Sequence, residues 1–585
     1  MNLDLGIIGN CQYSALINKS ASVVWLCWPR FDSSSVFGSL IDETQGGEFS
    51  IQPDRDFTST QNYIRNTNIL RTVFETAGGS FEVIDFAPRF QNFGRLFHPN
   101  MLIRMVRPMS GDPLIKVNCD PRYDYGRSVP KAYWGSNHIQ YEGLPDTLRL
   151  TTNAPLTYIN EQRPFVLSRP LYFVMTWGNP LEAPLKETCE NFFEHTKTYW
   201  QTWVKHCAIP DRYQDEVIRS ALVLKLHQYQ DTGAITAATT TSIPEYDGSG
   251  RNWDYRYCWL RDAYFTLSAF RHLGQFQEME SFVEYLRNIA ENSGTSRLQP
   301  VYRISGDGKI TEEILDHLSG YRNNKPVRIG NQAFEHVQND IYGEMILAIS
   351  PLFLDRRFNL EDVSPPKLLL EKLLRLIESH MEEKDAGLWE YRNAEDVHTF
   401  SLLMHWSGSK TAAEIGKRIG DANLVSLSQK LENQAKKIID SRCWSKKLGA
   451  YTEAAGSEYL DASLFSMINM GFLEKDHPHA ESHLRALEKK LKTKGDLVHR
   501  YVHDDDFGAP KTTFTICSFW YAEALARMGR GDEACRVFEG IVKHTNHLGL
   551  LSEDIHPETS ELWGNYPQTY SHVGLINAAF QLSAP

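Results

Sequence analysis

The sequence predicts two unlike halves, an N-terminal domain of short β-strands packed as a sandwich and a C-terminal helical domain. Up to about Trp177, short apolar runs of alternating character are interrupted by Gly, Pro, Asn and Asp, a pattern typical of many short strands. After Pro210, long segments of helical periodicity alternate with loops rich in Gly, Asn, Asp and aromatic residues. Residues 185–207 lie between the halves and contain no Gly or Pro, which favours a linking helix.

The first half is expected to span residues 1–180. Its strands are clearest at 81–86 and 148–152, where apolar and polar side chains alternate. A helical linker is expected at 181–210 and the helical domain at 211–585.

The helical half has periodic segments joined by long polar loops, which indicates a helical barrel or toroid whose loops form a site at one end. The sequence alone does not distinguish a closed ring from an open solenoid, since no short repeat is evident. The segments with the clearest helical period are 215–229, 262–273, 366–382, 422–439, 480–491 and 514–528.

Composition limits the classes of function. Hydrophobic residues make up 42% and charged residues 23% of the 585 residues, as in ordinary globular proteins. A net charge of −12 provides no basic surface for phosphates, so nucleic acid is not an expected partner. The sequence has no signal-like N-terminus, no apolar run of membrane-spanning length and no nucleotide-binding fingerprint, so we expect a cytoplasmic protein without membrane contact or cofactor.

Two glutamates in apolar and aromatic settings are candidates for acid and base catalysis. Hydrolysis of a glycosidic bond needs one carboxylic acid and a second carboxylate that activates water or attacks the sugar. Glu390 suits the acid role because Trp389 and Leu388 would raise its pKa, while Arg392 would oppose that rise if it turned inward. A surface glutamate after a glycine turn is the plainer alternative.

Glu553, which follows Leu550 and Leu551, suits the role of base. The plainer alternative is a carboxylate favoured by the dipole at a helix N-terminus. Glu558 and Glu561 compete for the same role, and residue spacing leaves the choice open.

Other polar and aromatic residues are candidates for sugar binding. Trp259, Arg261 and Asp262 end an aromatic and charged run, and an Arg/Asp pair can hold vicinal hydroxyls. A buried ion pair between helices explains them equally well. Asp340 is either a hydroxyl ligand or a helix cap, and Trp389 offers a ring beside the first glutamate.

Two further features are assigned structural roles. Residues 503–506, His-Asp-Asp-Asp, are interpreted as an exposed acidic turn rather than a metal site, because no second set of ligands accompanies them. Nine irregularly spaced cysteines without a CxxC pair are typical of reduced thiols, and Cys258 and Cys517 are expected in the core. No metal is therefore expected.

Taken together, the ordered motifs resemble glycoside hydrolase family 15, the glucoamylase-like and prokaryotic trehalase-like proteins. The likeness covers nearly the whole chain. The matching segments are 5–9 and 25–33 in the first half, and 252–262, 326–331, 338–344, 387–390, 517–520, 549–553 and 564–572 in the second.

This resemblance implies an N-terminal antiparallel β-sandwich, a linker and an (α/α)6 barrel. It makes Glu390 the general acid and Glu553 the general base of an inverting hydrolase, which selects Glu553 over Glu558 and Glu561. Trp259, Arg261 and Asp262 would hold the non-reducing sugar.

The expected activity is exo-acting release of glucose from α-glucans or oligosaccharides. The alternatives are α,α-trehalase and, more remotely, an inactive carbohydrate-binding barrel. Two positions depart from the family pattern, His336 where glutamine is common and Leu402 where lysine is common, and both are expected near the leaving-group pocket. The oligomeric state is left open.

Overall fold

The computed structural model describes residues 3–293, 297–358 and 364–583. Its N-terminal part forms two antiparallel sheets, one in the order β1-β2-β3-β5-β12-β16 with β4 beside β3, the other in the order β13-β14-β15-β17-β11-β8-β7-β6. Strands β9 and β10 form a separate hairpin. The strands are β1 (Leu5–Gly9), β2 (Ser14–Asn18), β3 (Ser22–Cys27), β4 (Ser35–Phe37), β5 (Phe49–Pro53), β6 (Phe57–Tyr63), β7 (Leu70–Thr76), β8 (Gly79–Phe86), β9 (Phe90–Asn92), β10 (Arg95–Phe97), β11 (Met101–Gly111), β12 (Leu114–Cys119), β13 (Lys131–Trp134), β14 (His138–Glu142), β15 (Leu148–Thr152), β16 (Phe165–Val166) and β17 (Leu171–Trp177).

The two sheets pack face to face, as predicted. Along β7 the side chains of Leu70, Thr72 and Phe74 are buried and alternate with more exposed neighbours, because successive residues of a strand point to opposite faces. Phe49 of the first sheet meets Phe173 of the second at 6.1 Å between ring centroids. Aromatic contact across the interior therefore joins the sheets into a sandwich.

A buried ion pair ties the sandwich together. Arg104 donates from Nε to Asp85 Oδ1 at 2.7 Å and from NH1 to the Phe49 carbonyl of the opposite sheet at 2.6 Å. Neither charged side chain is exposed. Asp85→Ala should therefore lower the free energy of unfolding of this domain by about 3–5 kcal/mol, because it leaves a buried guanidinium unpaired. Urea denaturation of the full chain measures this effect.

The control for that measurement is Glu161→Ala, which removes the partner of Arg163 in an exposed pair. Its cost should stay within about 1 kcal/mol. A midpoint for Asp85→Ala as high as that of the control would contradict the stabilising role of the buried pair.

Helices dominate the rest of the chain. The predicted linking helix is present as α2, and we propose domain boundaries near residues 180 and 210 because α2 lies between the last sandwich strand and α3. The helices are α1 (Leu156–Asn160), α2 (Leu185–Lys205), α3 (Gln214–His227), α4 (Arg261–Leu273), α5 (Phe276–Asn292), α6 (Asp340–Leu354), α7 (Ser364–His380), α8 (Thr399–Ile419), α9 (Ala422–Ile438), α10 (Ser466–Asn469), α11 (Ala480–Leu491), α12 (Thr515–Arg527), α13 (Gly531–Val542) and α14 (Thr569–Ser583). Short strand pairs decorate the loops: β18 (Cys258–Trp259), β19 (Val301–Tyr302), β20 (Glu313–Ile314), β21 (Arg328–Ile329), β22 (Trp444–Ser445), β23 (Ala450–Tyr451), β24 (Thr513–Phe514), β25 (Asp554–Ile555) and β26 (Leu562–Trp563).

The inner helices close into a ring. Helix α4 packs on α6, α6 on α8, α8 on the 3-10 turn Ala462–Phe465 that leads into α10, α10 on α12, α12 on α14, and α14 back on α4. The helices α3, α5, α7, α9, α11 and α13 pack outside these six positions. The closed ring that the sequence could not distinguish from a solenoid is thus the (α/α)6 barrel.

The helices and the cysteines bear on two expectations from the sequence, that no segment spans a membrane and that the thiols are reduced. Within the described ranges, no helix combines the length and apolar character needed to cross a membrane. All nine cysteines are unpaired, and Cys258 and Cys517 are fully buried as predicted. Burial raises the pKa of the Cys258 thiol to about 12, which keeps it protonated and inert.

Candidate active site

The candidate residues gather at one end of the barrel because they lie in the loops that precede inner helices, or in their first turns. Arg261 begins α4, Asp340 begins α6, Glu390 precedes α8, Arg500 precedes α12 and Glu553 precedes α14. The N-terminal ends of these helices therefore carry the site, as expected for a barrel whose loops are functional.

Both glutamates line one small inner cavity. Six of the seven residues predicted for the site border it, and Asp340 is the exception. The six residues are Trp259, Arg261, Asp262, Trp389, Glu390 and Glu553.

Glu390 is held by three donors on one oxygen. Its Oε1 accepts from Trp259 Nε1 at 2.6 Å, from Gln338 Nε2 at 3.1 Å and from Arg261 NH1 at 3.3 Å. The second carboxylate oxygen of Glu390, Oε2, accepts none of these three hydrogen bonds. The backbone of Glu390 has a φ of 61°, a conformation that is strained for a residue with a side chain and recurs at functional sites.

The pKa of Glu390 is lowered, which corrects the expectation that apolar neighbours would raise it. Burial does act to raise this pKa, but Arg261, His336 and the donated hydrogen bonds outweigh it. Arg392, the cation considered from sequence, turns away to pair with Glu312 at 2.9 Å and to stack on Trp253. The cation beside Glu390 is Arg261. This contact was not predicted, because the two residues are far apart in the sequence.

Glu553 is buried and held through both of its oxygens. Tyr255 donates its hydroxyl to Oε1 at 2.7 Å, and the backbone N–H of Asn565 donates to Oε2 at 3.1 Å. Gly564 makes this approach possible, since a Cβ at that position would lie 2.5 Å from Glu553 Cβ. The carboxyl group is thus fixed in one orientation.

Burial and the nearby Glu245 carboxylate raise the pKa of Glu553 to about 8, against opposing effects of Tyr255, Arg500 and Asn565. Glu245 accepts a hydrogen bond from Arg500. Asp554 lies in the same cluster, its Oδ2 has no hydrogen-bond partner, and its own pKa is raised by burial and by both glutamates.

The cluster of Glu245, Glu553 and Asp554 has the spacing of a cation site. One oxygen of each lies within 4.8 Å of the others, and all three residues are buried. Arg500 supplies positive charge to the cluster through its contact with Glu245. The three carboxyl groups and Arg500 therefore form a buried ionic network centred on Arg500.

Arg261 and Asp262 have unused hydrogen-bonding capacity at the inner cavity. Arg261 Nε and Asp262 Oδ1 are 3.6 Å apart, and neither makes a hydrogen bond. Burial raises the pKa of Asp262 to about 6. Both residues border the inner cavity, where a guanidinium and a carboxylate are the kinds of donor and acceptor that sugar hydroxyls need.

Asp340 lies behind Arg261 and does not border the inner cavity. Its Oδ1 accepts the backbone N–H of Ile341 at 3.0 Å, so it serves the first turn of α6. Burial and the nearby Asp385 raise its pKa to about 7. The prediction that Asp340 binds a hydroxyl directly has no support in this position.

A second, outer cavity adjoins the first and shares Tyr255, Trp389, Glu390 and Arg500 with it. Its remaining wall is rich in charge, because Arg251 and Asp505 form a bidentate pair with contacts of 2.7 and 2.5 Å. The wall also includes the charged residues Glu245, Arg392 and Asp506 and the polar residues Asn331, His336 and Tyr391.

The outer cavity corrects the interpretation of residues 503–506. They were expected to form an exposed acidic turn, and Asp504 and Asp506 are indeed exposed. Asp505 differs, because its side chain is largely buried against Arg251 and accepts from Tyr501. Asp506 also accepts the backbone N–H of Arg392 at 2.8 Å. Of the two departures from the family pattern, His336 borders this cavity. Leu402 is buried in the first turn of α8 and borders neither cavity.

Sequence reasoning missed several groups that the structure places at the site. Tyr255 and Gln338 lie within the family motifs 252–262 and 338–344, so the sequence did contain information that could have identified them. Glu245 and Arg500 are 255 residues apart, and no local sequence pattern predicts that they pair.

Comparison with known proteins agrees with this architecture. The family model "Glycosyl hydrolases family 15" matches residues 211–580, and "Trehalase-like, N-terminal" matches residues 4–156. A trehalase of Mycolicibacterium smegmatis is 32% identical over 98% of this chain and 90% of its own length. A trehalase of Thermoplasma volcanium is 29% identical over 99% of this chain and 93% of its own.

The fold is also found among solved structures. A bacterial glucoamylase complexed with acarbose matches with a TM-score of 0.72 and 15% identity, covering 100% of this chain and 95% of the other. The family model covers more than half of the chain, and the mycobacterial relative spans nearly all of it. The chain therefore belongs to glycosyl hydrolases family 15 and is a glycoside hydrolase.

Proposed function

We propose that the protein is an α,α-trehalase, which hydrolyses the bond between two glucose units. The observation that carries this proposal is that six relatives, 28–32% identical over 97–99% of the chain, are named trehalase. The sequence had favoured α-glucan hydrolysis with trehalase second, and the relatives reverse that order.

The paired cavities support a disaccharide substrate. The inner cavity offers Arg261 and Asp262 to one glucose, and the outer cavity offers the Arg251/Asp505 pair and Arg500 to the glucose that leaves. Guanidinium and carboxylate groups together match the donors and acceptors of sugar hydroxyls. Glu390 borders both cavities, as a group that protonates the oxygen between the two sugars must.

The mechanism follows from the two glutamates. Glu553 takes a proton from a water molecule while the oxygen of that water attacks the anomeric carbon. Glu390 delivers a proton from Oε2 to the departing oxygen as the glycosidic bond breaks. The products are β-glucose from the attacked ring and α-glucose from the other, whose anomeric carbon keeps its bond to the departing oxygen. This inverting course requires carboxyl groups about 6.5–9.5 Å apart.

The pair works with a single proton between its two carboxyl groups. The pKa of Glu390 is lowered and that of Glu553 is raised to about 8, so in the free site the proton resides mainly on Glu553. The productive arrangement, with the proton on Glu390, is a minor form of the same one-proton state. The rate therefore follows the population of the one-proton state, which is bounded on the acid side by the pKa of Glu390 and on the alkaline side by that of Glu553.

The pH profile of kcat/KM should accordingly be bell-shaped, with an alkaline limb near pH 8 where the shared proton is lost. Glu245→Gln should move this limb to lower pH, because Glu245 is the largest charge that raises the pKa of Glu553. The other charged groups facing Glu553 are Asp554 and Arg500, and Arg500 freed from Glu245 would lower the pKa further. Initial rates between pH 4 and 10 measure both limbs.

The control is Glu561→Gln, a change near the site in sequence whose carboxylate pairs with Arg322 at 3.5 Å. It should leave both limbs in place. An alkaline limb that does not move in Glu245→Gln would contradict the assigned influence of Glu245 on Glu553.

The substrate assignment is tested by glucose release from trehalose, maltose, isomaltose and soluble starch under one set of conditions. The proposal expects the highest kcat/KM with trehalose. Proton NMR of the first turnovers should show β-glucose before mutarotation. Preference for starch would return the assignment to glucan hydrolysis, and release of α-glucose from trehalose without an equal amount of β-glucose would exclude the inverting mechanism.

A further inference from the structure

A further cavity lies away from both sugar cavities. It measures about 790 Å3, within the range of about 300–1,000 Å3 for ligand sites. Its wall combines residues 89–96 after the sandwich strand β8, residues 195–206 of the linking helix α2, and residues 225–233 and 274–281 of the barrel. Junctions between domains are a preferred location for ligand sites.

Helix α4 separates this junction cavity from the active site. Its first residue, Arg261, borders the inner sugar cavity, and Gly274, which follows its last residue, borders the junction cavity. A helix of 13 residues spans about 20 Å at 1.5 Å per residue. The junction cavity is therefore a distinct site.

The charged side chains of the junction cavity are buried and already engaged. Lys225 pairs with Glu278 at 3.1 Å, and both are about 6% exposed. Arg89 is 1% exposed and donates to the Asn10 carbonyl and to Gln230 Oε1. These charges support the wall and offer little to a charged ligand.

The accessible side chains of the cavity are amide, hydroxyl and imidazole groups beside aromatic rings. Tyr199 of α2 and Phe276 of α5 are half-buried and border the cavity, with Arg89 over one face of the Tyr199 ring and Arg357 over one face of the Phe276 ring. The hydrogen-bonding groups are Gln91, His195, Thr198, Thr202, His206 and Gln277, all of which are exposed.

We infer that the junction cavity binds a neutral carbohydrate of the substrate's class, a glucose disaccharide or short oligosaccharide. Aromatic rings suit the apolar faces of a pyranose, while amides and hydroxyls both donate to and accept from its hydroxyl groups. The choice of sugar rests on the proposed function, but the site itself does not depend on catalysis.

Hydrogen exchange measured by mass spectrometry tests this inference on the full chain. Glu553→Gln is used throughout so that trehalose is not consumed. Trehalose and, separately, maltose are compared with betaine at equal osmolality. At least one sugar should slow exchange in residues 195–206 and 274–281 by about threefold or more, the expected loss of local opening on binding.

Two variants in the Glu553→Gln background locate the effect. Thr198→Trp fills the cavity from an exposed position of α2, whereas Asn191→Trp places the same ring on an exposed position of the same helix outside the cavity wall. Protection at the cavity should be lost in the first and kept in the second. Protection by neither sugar, or protection that persists in Thr198→Trp, would overturn the inference.

The same data separate this inference from the proposed function. Sugar binding at the active site is read from protection of residues 387–391 and 549–565, and trehalose hydrolysis is measured with the unmodified protein. Junction protection without hydrolysis would leave the second site standing and reject the trehalase assignment. Trehalose hydrolysis together with protection at the active-site segments alone would support the trehalase assignment and reject the second site.

Discussion

Glu553→Gln and Glu390→Gln should each lower kcat for trehalose by about 10²- to 10⁴-fold, the usual contribution of a positioned acid or base. Glutamine at 553 keeps an oxygen that can accept from Tyr255, but it cannot take the proton of water. Glutamine at 390 keeps an acceptor for Trp259 and has no proton to deliver to the leaving oxygen. Both variants should still bind trehalose, because Arg261 and Asp262 are unchanged.

Steady-state kinetics give the loss of kcat, and calorimetric titration gives the affinity for trehalose. Glu558→Gln is the matched control, since it changes an exposed glutamate five positions from Glu553 that the sequence alone could not exclude. Its kcat should stay within about twofold of the unmodified protein, as is usual for surface substitutions. Near-normal turnover in Glu553→Gln combined with a large loss in Glu558→Gln would reassign the base.

The fold was predictable where its causes are local. Residues 480–491 show the helical period in their sequence, and α11 has those same bounds. Closure of the ring was not predictable, because it depends on the packing of α14 on α4, elements separated by some 300 residues. Periodicity identifies the buried face of a helix without specifying what covers it.

The same limit applies to the active site. Both glutamates were located by motif, but the direction of the pKa shift of Glu390 was wrong. The adjacent Leu388 and Trp389 were visible in sequence, whereas Arg261 lies 129 residues away and contacts the same carboxylate. The charge state of a buried group depends on neighbours brought together by the fold.

Arg261→Gln should lower kcat/KM for trehalose by about 10- to 100-fold, the range expected from losing hydrogen bonds of about 1.5–3 kcal/mol to a charged group. Arg261 donates to Glu390 Oε1 and to the Leu388 carbonyl, and it borders the inner cavity beside Asp262. Glutamine removes the charge and part of this donor set. The loss should be larger than that of Arg392→Gln, whose guanidinium is paired with Glu312 at the outer cavity.

The pH profile makes the role of Arg261 specific. Its charge is the largest favourable influence that lowers the pKa of Glu390, so its removal should raise that pKa and move the acid limb of kcat/KM to higher pH. Glu245→Gln acts on the opposite limb, because it lowers the pKa of Glu553. One variant should therefore narrow the active range from the acid side and the other from the alkaline side. An unmoved acid limb in Arg261→Gln, or an equal movement in Arg392→Gln, would show that the ionisation of Glu390 is set elsewhere.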